Sequence, residues 1–159
     1  MYKMRFIGNI EARIDAKGRV FLPAVFRKVL RTSDEEGLIL RKDVFQSCLV
    51  LYPESVWNAQ MDALRARLSR WNALHQQIFR QFVSDAETLP IDANGRILLP
   101  KRYLAMCGIE REVKFIGMGD TIEIWNMDIA RTPFMDGADF GKALENIMYD
   151  VENNTDETR

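Results

Sequence analysis

Two stretches decide the fold: Ile14 to Pro23 reads IDAKGRVFLP, and Ile91 to Pro100 reads IDANGRILLP. Seven of the ten positions are identical, and the other three keep their character: Lys17 against Asn94, Val20 against Ile97, Phe21 against Leu98. Such agreement at one fixed offset is an internal repeat. In a short chain neither copy buries its apolar face alone, so the two are expected to pack on each other as a pseudo-dimer.

Reading outward from the first copy, Gly8 to Ile14 alternates apolar and polar residues, which predicts a strand with one solvated face and Arg13 pointing outward. Asp15 to Gly18 follows as a turn, because the Asp carboxylate accepts bonds from following backbone N–H groups and Gly18 tolerates positive φ. Arg19 to Leu22 resumes as a strand. Pro23 ends it and suits the edge of a short helix over Ala24 to Thr32. Val25, Phe26, Val29 and Leu30 form the apolar stripe of that helix, leaving Arg27, Lys28 and Arg31 to solvent. Gly37 to Leu40 and Ser47 to Tyr52 read as two further strands separated by Arg41-Lys42-Asp43, and Pro53 closes the unit. The second unit repeats the order: a strand from Leu89 into Ile91, a turn at Asp92 to Gly95, a strand from Arg96 to Leu99, and a helix through Met106 that stops at Gly108. Strands near Val113 to Ile116 and Thr121 to Trp125 complete it.

Between the units the period changes. Trp57, Met61, Leu64, Leu68, Trp71, His75, Ile78 and Phe82 are spaced 4, 3, 4, 3, 4, 3 and 4, which predicts one long helix. From Asp136 the tail is expected to hold a helix over Phe140 to Val151, with ENNTDETR disordered after it. The expected organisation is a first repeat over 8–53, a linking helical segment over 54–88, a second repeat over 89–132 and an acidic tail over 133–159. The fold class is α+β.

The formal net charge of −1 hides the placement of the charges. Through Thr32 eight bases face two acids, a net +6; from Thr132 onward two bases face seven acids, a net −5. A basic head points to an anionic partner, and the asymmetry suggests a tail that folds over the head as an autoinhibitor. No apolar run approaches the ~20 residues of a membrane span, and the opening MYKMRFIGNIEARID lacks the apolar stretch of a secretory signal, so a cytoplasmic protein is expected. Cys48 and Cys107 lack CxxC spacing and read as core residues, not as a disulfide or metal site.

Enzyme chemistry has little to work with. The single histidine, His75, lies within the helical stripe, which favours a structural or subunit-contact role and excludes a multi-histidine metal centre. No phosphate-binding glycine motif is present, and no cofactor is expected. Asp15 and Asp92 are the one pair that could form a carboxylate dyad. Each has an arginine four residues on, Arg19 and Arg96, which favours a turn lock instead, with Gly95 as the turn glycine of the second copy. The stronger functional signal is cationic: Arg13, Lys17 and Arg19 surround one tight turn on a projecting hairpin. Cations held on rigid strands neutralise phosphates, and the major groove admits a two-stranded ribbon. The second copy carries Asn94 and Pro90 where the first has Lys17 and Arg13.

IDAKGRVFLPAVFRKVL and its echo IDANGRILLPKRYLAMCGI, with Phe6, Gly8, Leu51-Tyr52-Pro53, Trp57, Gly117 and Glu123-Ile124-Trp125, resemble the MraZ family. That family is a two-repeat branch of the AbrB/SpoVT swapped-hairpin proteins. The resemblance implies a pseudo-dimeric swapped-hairpin β-barrel with a helical insertion. It implies a cytoplasmic, nucleoid-associated regulator, usually a repressor, of the bacterial cell-division and cell-wall gene cluster that includes its own promoter. It further implies a ring-shaped homo-oligomer that binds double-stranded DNA at short direct repeats. From the family's motif Asp15, Lys17, Gly18 and Arg19 carry over as the DNA-facing element; Arg13, Arg27 and Lys28 join them on charge. Two rival readings stand beside this one: an antidote or scaffold protein whose acidic tail binds a partner, and a hydrolase built on Asp15 and Asp92.

Overall fold

The computed structural model describes residues 5–35, 37–129 and 133–156. The chain forms two compact units, Met1–Met127 and Asp128–Arg159.

In the first unit each repeat contributes two strands, a helix and two strands. The first gives β1 (Asn9–Arg13), β2 (Arg19–Phe21), α1 (Ala24–Thr32), β3 (Leu38–Lys42) and β4 (Leu49–Pro53). The helical insertion gives α2 (Glu54–Arg67) and α3 (Ala73–Ser84). The second repeat gives β5 (Glu87–Leu89), β6 (Arg96–Leu98), α4 (Lys101–Met106), β7 (Glu112–Gly117) and β8 (Ile122–Asn126).

Six strands form one antiparallel sheet in the order β1-β7-β8-β4-β3-β5, and β2 pairs with β6 in a separate ribbon. The order is a palindrome under exchange of the repeats. The opening strand of each repeat leaves its own unit and pairs with the third strand of the other, β1 on β7 and β5 on β3. The hairpins are therefore swapped. The expected barrel takes the form of this sheet and ribbon; among the described residues no ladder joins β1 to β5.

The repeated decapeptide builds the centre of the core. Val20 and Ile97, Leu22 and Leu99, Phe26 and Tyr103, and Leu30 and Cys107 occupy equivalent positions and are all at most 3% exposed. Pro23 and Pro100 stand at the N-caps of α1 and α4, where a missing N–H costs nothing. Cys48 is also fully buried, and burial pushes both thiols up from their ordinary range, as expected of inert core cysteines.

The insertion covers the other face of the sheet. β4 is buried along its whole length: Leu49 and Leu51 face the main core, while Val50 and Tyr52 meet Trp57 of α2. Trp57 stacks on Phe82 of α3 at 5.2 Å between centroids and meets Tyr52 edge-on at 5.3 Å. Contact between the start of α2 and the end of α3 requires the two helices to fold back on each other.

The single long helix is thus corrected to a helical hairpin. Leu68 is extended, and Leu68 to Asn72 are non-helical because local side chains capture the backbone. Asn72 accepts a hydrogen bond from the His75 N–H at 3.1 Å, Ser69 Oγ accepts from Trp71 N–H, and His75 Nδ1 accepts from Ser69 N–H at 2.9 Å. The break leaves Trp71 98% exposed instead of packed in a stripe. His75 serves as a fastener of this turn. Arg41 and Lys42 are likewise strand residues, not a turn. Arg41 is 7% exposed, donates from Nε to the Phe82 carbonyl at 2.9 Å and lies over the Phe82 ring at 4.9 Å, tying α3 to β3.

The second unit holds α5 (Gly137–Asp156), which is longer than the Phe140 to Val151 expected. Of the stretch expected to be disordered, 152–156 are helical and 157–159 lie outside the described residues.

Trp57 connects the insertion to the sheet through its two aromatic partners and the apolar side chains around them. Trp57→Ala is expected to lower the unfolding free energy by about 3–5 kcal/mol, read from the urea midpoint.

Candidate nucleic-acid interface

The two turns that precede β2 and β6 are the same structure built twice. In the first, Asp15 Oδ1 accepts from the backbone N–H groups of Lys17 and Arg19, both at 2.9 Å, while Arg19 Nε donates to Oδ2 at 2.8 Å. In the second, Asp92 Oδ1 accepts from Asn94 and Arg96 N–H, both at 2.9 Å, and Arg96 Nε donates to Oδ2 at 2.9 Å. The Arg19 and Arg96 backbone N–H groups are the leading reason that both carboxyls titrate below their ordinary range, and the guanidinium bonds add to the effect. Both are therefore carboxylates at neutral pH, committed to their own turns.

The turns also interlock. Leu99 N–H donates to the Gly18 carbonyl at 2.9 Å, and Leu22 N–H donates to the Gly95 carbonyl at 3.0 Å. Each turn of one repeat therefore rests beside the end of the other repeat's short strand. Gly18 has φ +89°, and a Cβ there would lie 2.9 Å from the Leu99 carbonyl oxygen. Only glycine fits both the conformation and the space. Since β2 and β6 are antiparallel, the turns lie at opposite ends of the ribbon, so Asp15 and Asp92 do not converge into a carboxylate dyad.

The expected cationic set is divided by this arrangement. Lys17 is exposed at the first turn, and among the described residues it has no ion-pair partner. Arg19 is held by Asp15. Arg13 is exposed on β1 and pairs with Glu112 across the ladder at 3.0 Å. An exposed pair of that kind is worth at most ~1 kcal/mol, so it leaves Arg13 open to exchange Glu112 for a phosphate. Arg27 stands apart. Its Nε donates to the Leu22 carbonyl at 3.0 Å, and a Cβ at Gly95 would collide with its guanidinium. Arg27 therefore props the second turn instead of facing solvent freely, and Lys28 is exposed on α1 beside it. The first and second turns are separated by a strand of four residue steps from Gly18 to Leu22, roughly 13 Å.

One cation that the sequence places just beyond the second copy stands at the first turn. Lys101, exposed, opens α4 two residues after Leu99, whose N–H is bonded to Gly18. The outer face of the ribbon is mixed: Arg19 lies opposite Leu98, and Phe21 opposite Arg96, with Phe21 58% and Leu98 52% exposed. Among the described residues no group of His, Cys, Asp and Glu is arranged to hold a metal ion. No described helix is long and apolar enough to cross a membrane.

Swapped hairpins, two Asp-locked turns and a cationic tip define a duplicated swapped-hairpin protein. A family profile described as "MraZ protein, putative antitoxin-like" matches residues 6–80 and 82–129. A relative from Phocaeicola vulgatus named transcriptional regulator MraZ is 63% identical over 145 residues, covering 91% of this chain and 94% of its own. One of the same name from Bacteroides thetaiotaomicron is 60% identical over 156 residues, covering 98% and 99%, so that its match includes the acidic tail. One from Legionella pneumophila is 34% identical over 124 residues, covering 78% and 81%. The chain belongs to the MraZ family.

The turn geometry carries a pH signature. A carboxyl held below its unfolded value stabilises the fold above the ordinary carboxylate range, and that contribution is lost as pH falls through the lowered folded value. Asp15→Asn and Asp92→Asn are each expected to lower the urea midpoint at pH 7 and to converge on the unsubstituted protein as pH drops below about 3.9. Gly18→Ala, strained in backbone and crowded by Leu99, is expected to cost about 1–3 kcal/mol in the same assay.

Proposed function

We propose that this chain is a sequence-selective transcriptional regulator that binds double-stranded DNA, acting as a repressor of a cell-division and cell-wall gene cluster from its own promoter. The observation that carries the reading is the first turn: a rigid, Asp-locked tip with Lys17 projecting unpaired and Arg13 beside it. A locked turn delivers its cations without the cost of ordering its backbone, and counterion release then supplies affinity. The names of the relatives support transcriptional regulation.

The DNA-facing set is Arg13, Lys17, Gly18 and Arg19, with Lys28 as an outlying contact. Asp15, Asp92, Gly95, Arg96 and Arg27 are the scaffold that holds the turns. One turn makes few contacts, so sequence selectivity calls for several subunits of a ring-shaped homo-oligomer engaging several direct repeats, where avidity adds ~10²–10⁴-fold. In this reading repeats 8–53 and 89–132 form the pseudo-dimeric swapped-hairpin barrel, 54–88 clads it, and 133–159 is an acidic tail in a cytoplasmic, nucleoid-associated protein. A protein-interaction role is favoured by one feature only: Phe140, Leu144, Ile147 and Met148 share a stripe of α5 and are 46–62% exposed.

Arg13→Ala combined with Lys17→Ala is expected to cut affinity for the chain's own promoter in gel shifts and to flatten its salt dependence by about 0.9 in log–log slope for each phosphate that is no longer neutralised. Unchanged affinity in a folded variant refutes the reading. A partner captured by the full chain but absent after deletion beyond Met135 would favour the interaction role.

A further inference from the structure

The repeats differ at two pairs of equivalent positions in the same sense. Lys17 at the tip of the first turn corresponds to Asn94 at the tip of the second, and Lys101 at the start of α4 corresponds to Ala24 at the start of α1. If each repeat kept to itself, the two lysines would belong to different ends of the molecule. The swap reverses this: the Leu99 N–H bond to the Gly18 carbonyl brings the start of α4 beside the first turn, and the Leu22 N–H bond to the Gly95 carbonyl brings Ala24 beside the second. Both departures from symmetry thus add an ammonium group to the same end. Both lysines are exposed, and neither has an ion-pair partner among the described residues.

Three of the neighbouring cations are already engaged. Arg19 is bonded to Asp15, Arg13 to Glu112, and Arg102 to Glu87 at 3.2 Å and to the Tyr103 hydroxyl at 2.8 Å. Two ammonium groups at one end of the ribbon, neither held in an ion pair among the described residues, are open to the phosphates of a polyanion. At the opposite end α1 brings Arg27, turned inward onto the Leu22 carbonyl, and Arg31, which lines a hollow together with the carboxylates of Asp92 and Glu35. We propose that Lys101, supplied by the second repeat, is a phosphate contact that completes the grip of the first repeat's turn, so that the principal DNA-binding end is assembled from both halves of the chain.

The proposal rests on the DNA-binding reading, and the test separates the two. Gel shifts on promoter duplex across 50–200 mM salt would compare the unsubstituted protein with Lys17→Ala, Lys101→Ala, Lys101→Arg, Lys142→Ala, and Ala24→Lys placed in the Lys101→Ala background. Removing the neutralisation of one phosphate takes about 0.9 from the log–log salt slope per engaged subunit, or about 3.5-fold less weakening over that range. The expected result is that decrease for Lys101→Ala and for Lys17→Ala, a retained slope in Lys101→Arg, no change in Lys142→Ala, and no rescue by Ala24→Lys. A decrease for Lys17→Ala with an unchanged Lys101→Ala slope overturns the proposal alone, as does rescue by Ala24→Lys. Unchanged slopes in both single variants overturn the DNA reading of the first turn itself.

Discussion

Two reciprocal backbone hydrogen bonds, Leu99 N–H to the Gly18 carbonyl and Leu22 N–H to the Gly95 carbonyl, hold the two halves of this chain in register. Each acceptor sits at a left-handed turn position that favours glycine, and at Gly18 the Leu99 carbonyl oxygen also leaves no room for a side chain. Around them the Asp–Arg locks keep the turns rigid, and Val20, Ile97, Leu22 and Leu99 close the core beneath. Strand exchange then follows: once the turns interlock, β1 is delivered to β7 and β5 to β3. A repeat by itself would leave its opening strand without a ladder.

What the sequence discloses is what short-range chemistry determines. The Asp-to-Arg spacing of four, the turn glycines and the prolines before α1 and α4 are all local, and each stands where its neighbours in the chain require it. The alternating strands emerge within a residue or two of their expected bounds. The helical insertion was legible as helix but not as two helices, because the apolar spacing runs unbroken across Leu68 to Asn72. The interruption comes from Ser69, Asn72 and His75 bonding to the backbone, which a period does not register. Arg41 has the composition of a turn residue, but its partner, Phe82, belongs to a distant helix. The candidate site shows the same division. Lys17 and Arg13 were visible as exposed cations on a turn and strand; Arg27's inward role and Lys101's position depend on strand exchange between repeats.

Charge placement outweighs charge total here. A chain of net −1 carries at one end of its ribbon two lysines without an ion pair among the described residues, while Asp15, Asp92 and Glu112 are held by arginines and seven further acids lie from Thr132 onward. Duplication supplies a symmetric frame, and the departures from symmetry carry the chemistry: where Lys17 becomes Asn94 and Lys101 answers to Ala24, the same backbone presents two unlike ends.

Strand exchange also sets the order in which the chain is made. Arg13 and its ladder partner Glu112 are 99 residues apart, and a ribosome adding ~5–20 residues each second needs roughly 5–20 s to bring the second into being after the first. During that interval the N-terminal strand has no place to dock. Newborn chains of this protein therefore present a bare β-edge to their surroundings, and neighbouring nascent copies on one polysome have the opportunity to trade strands before either is finished.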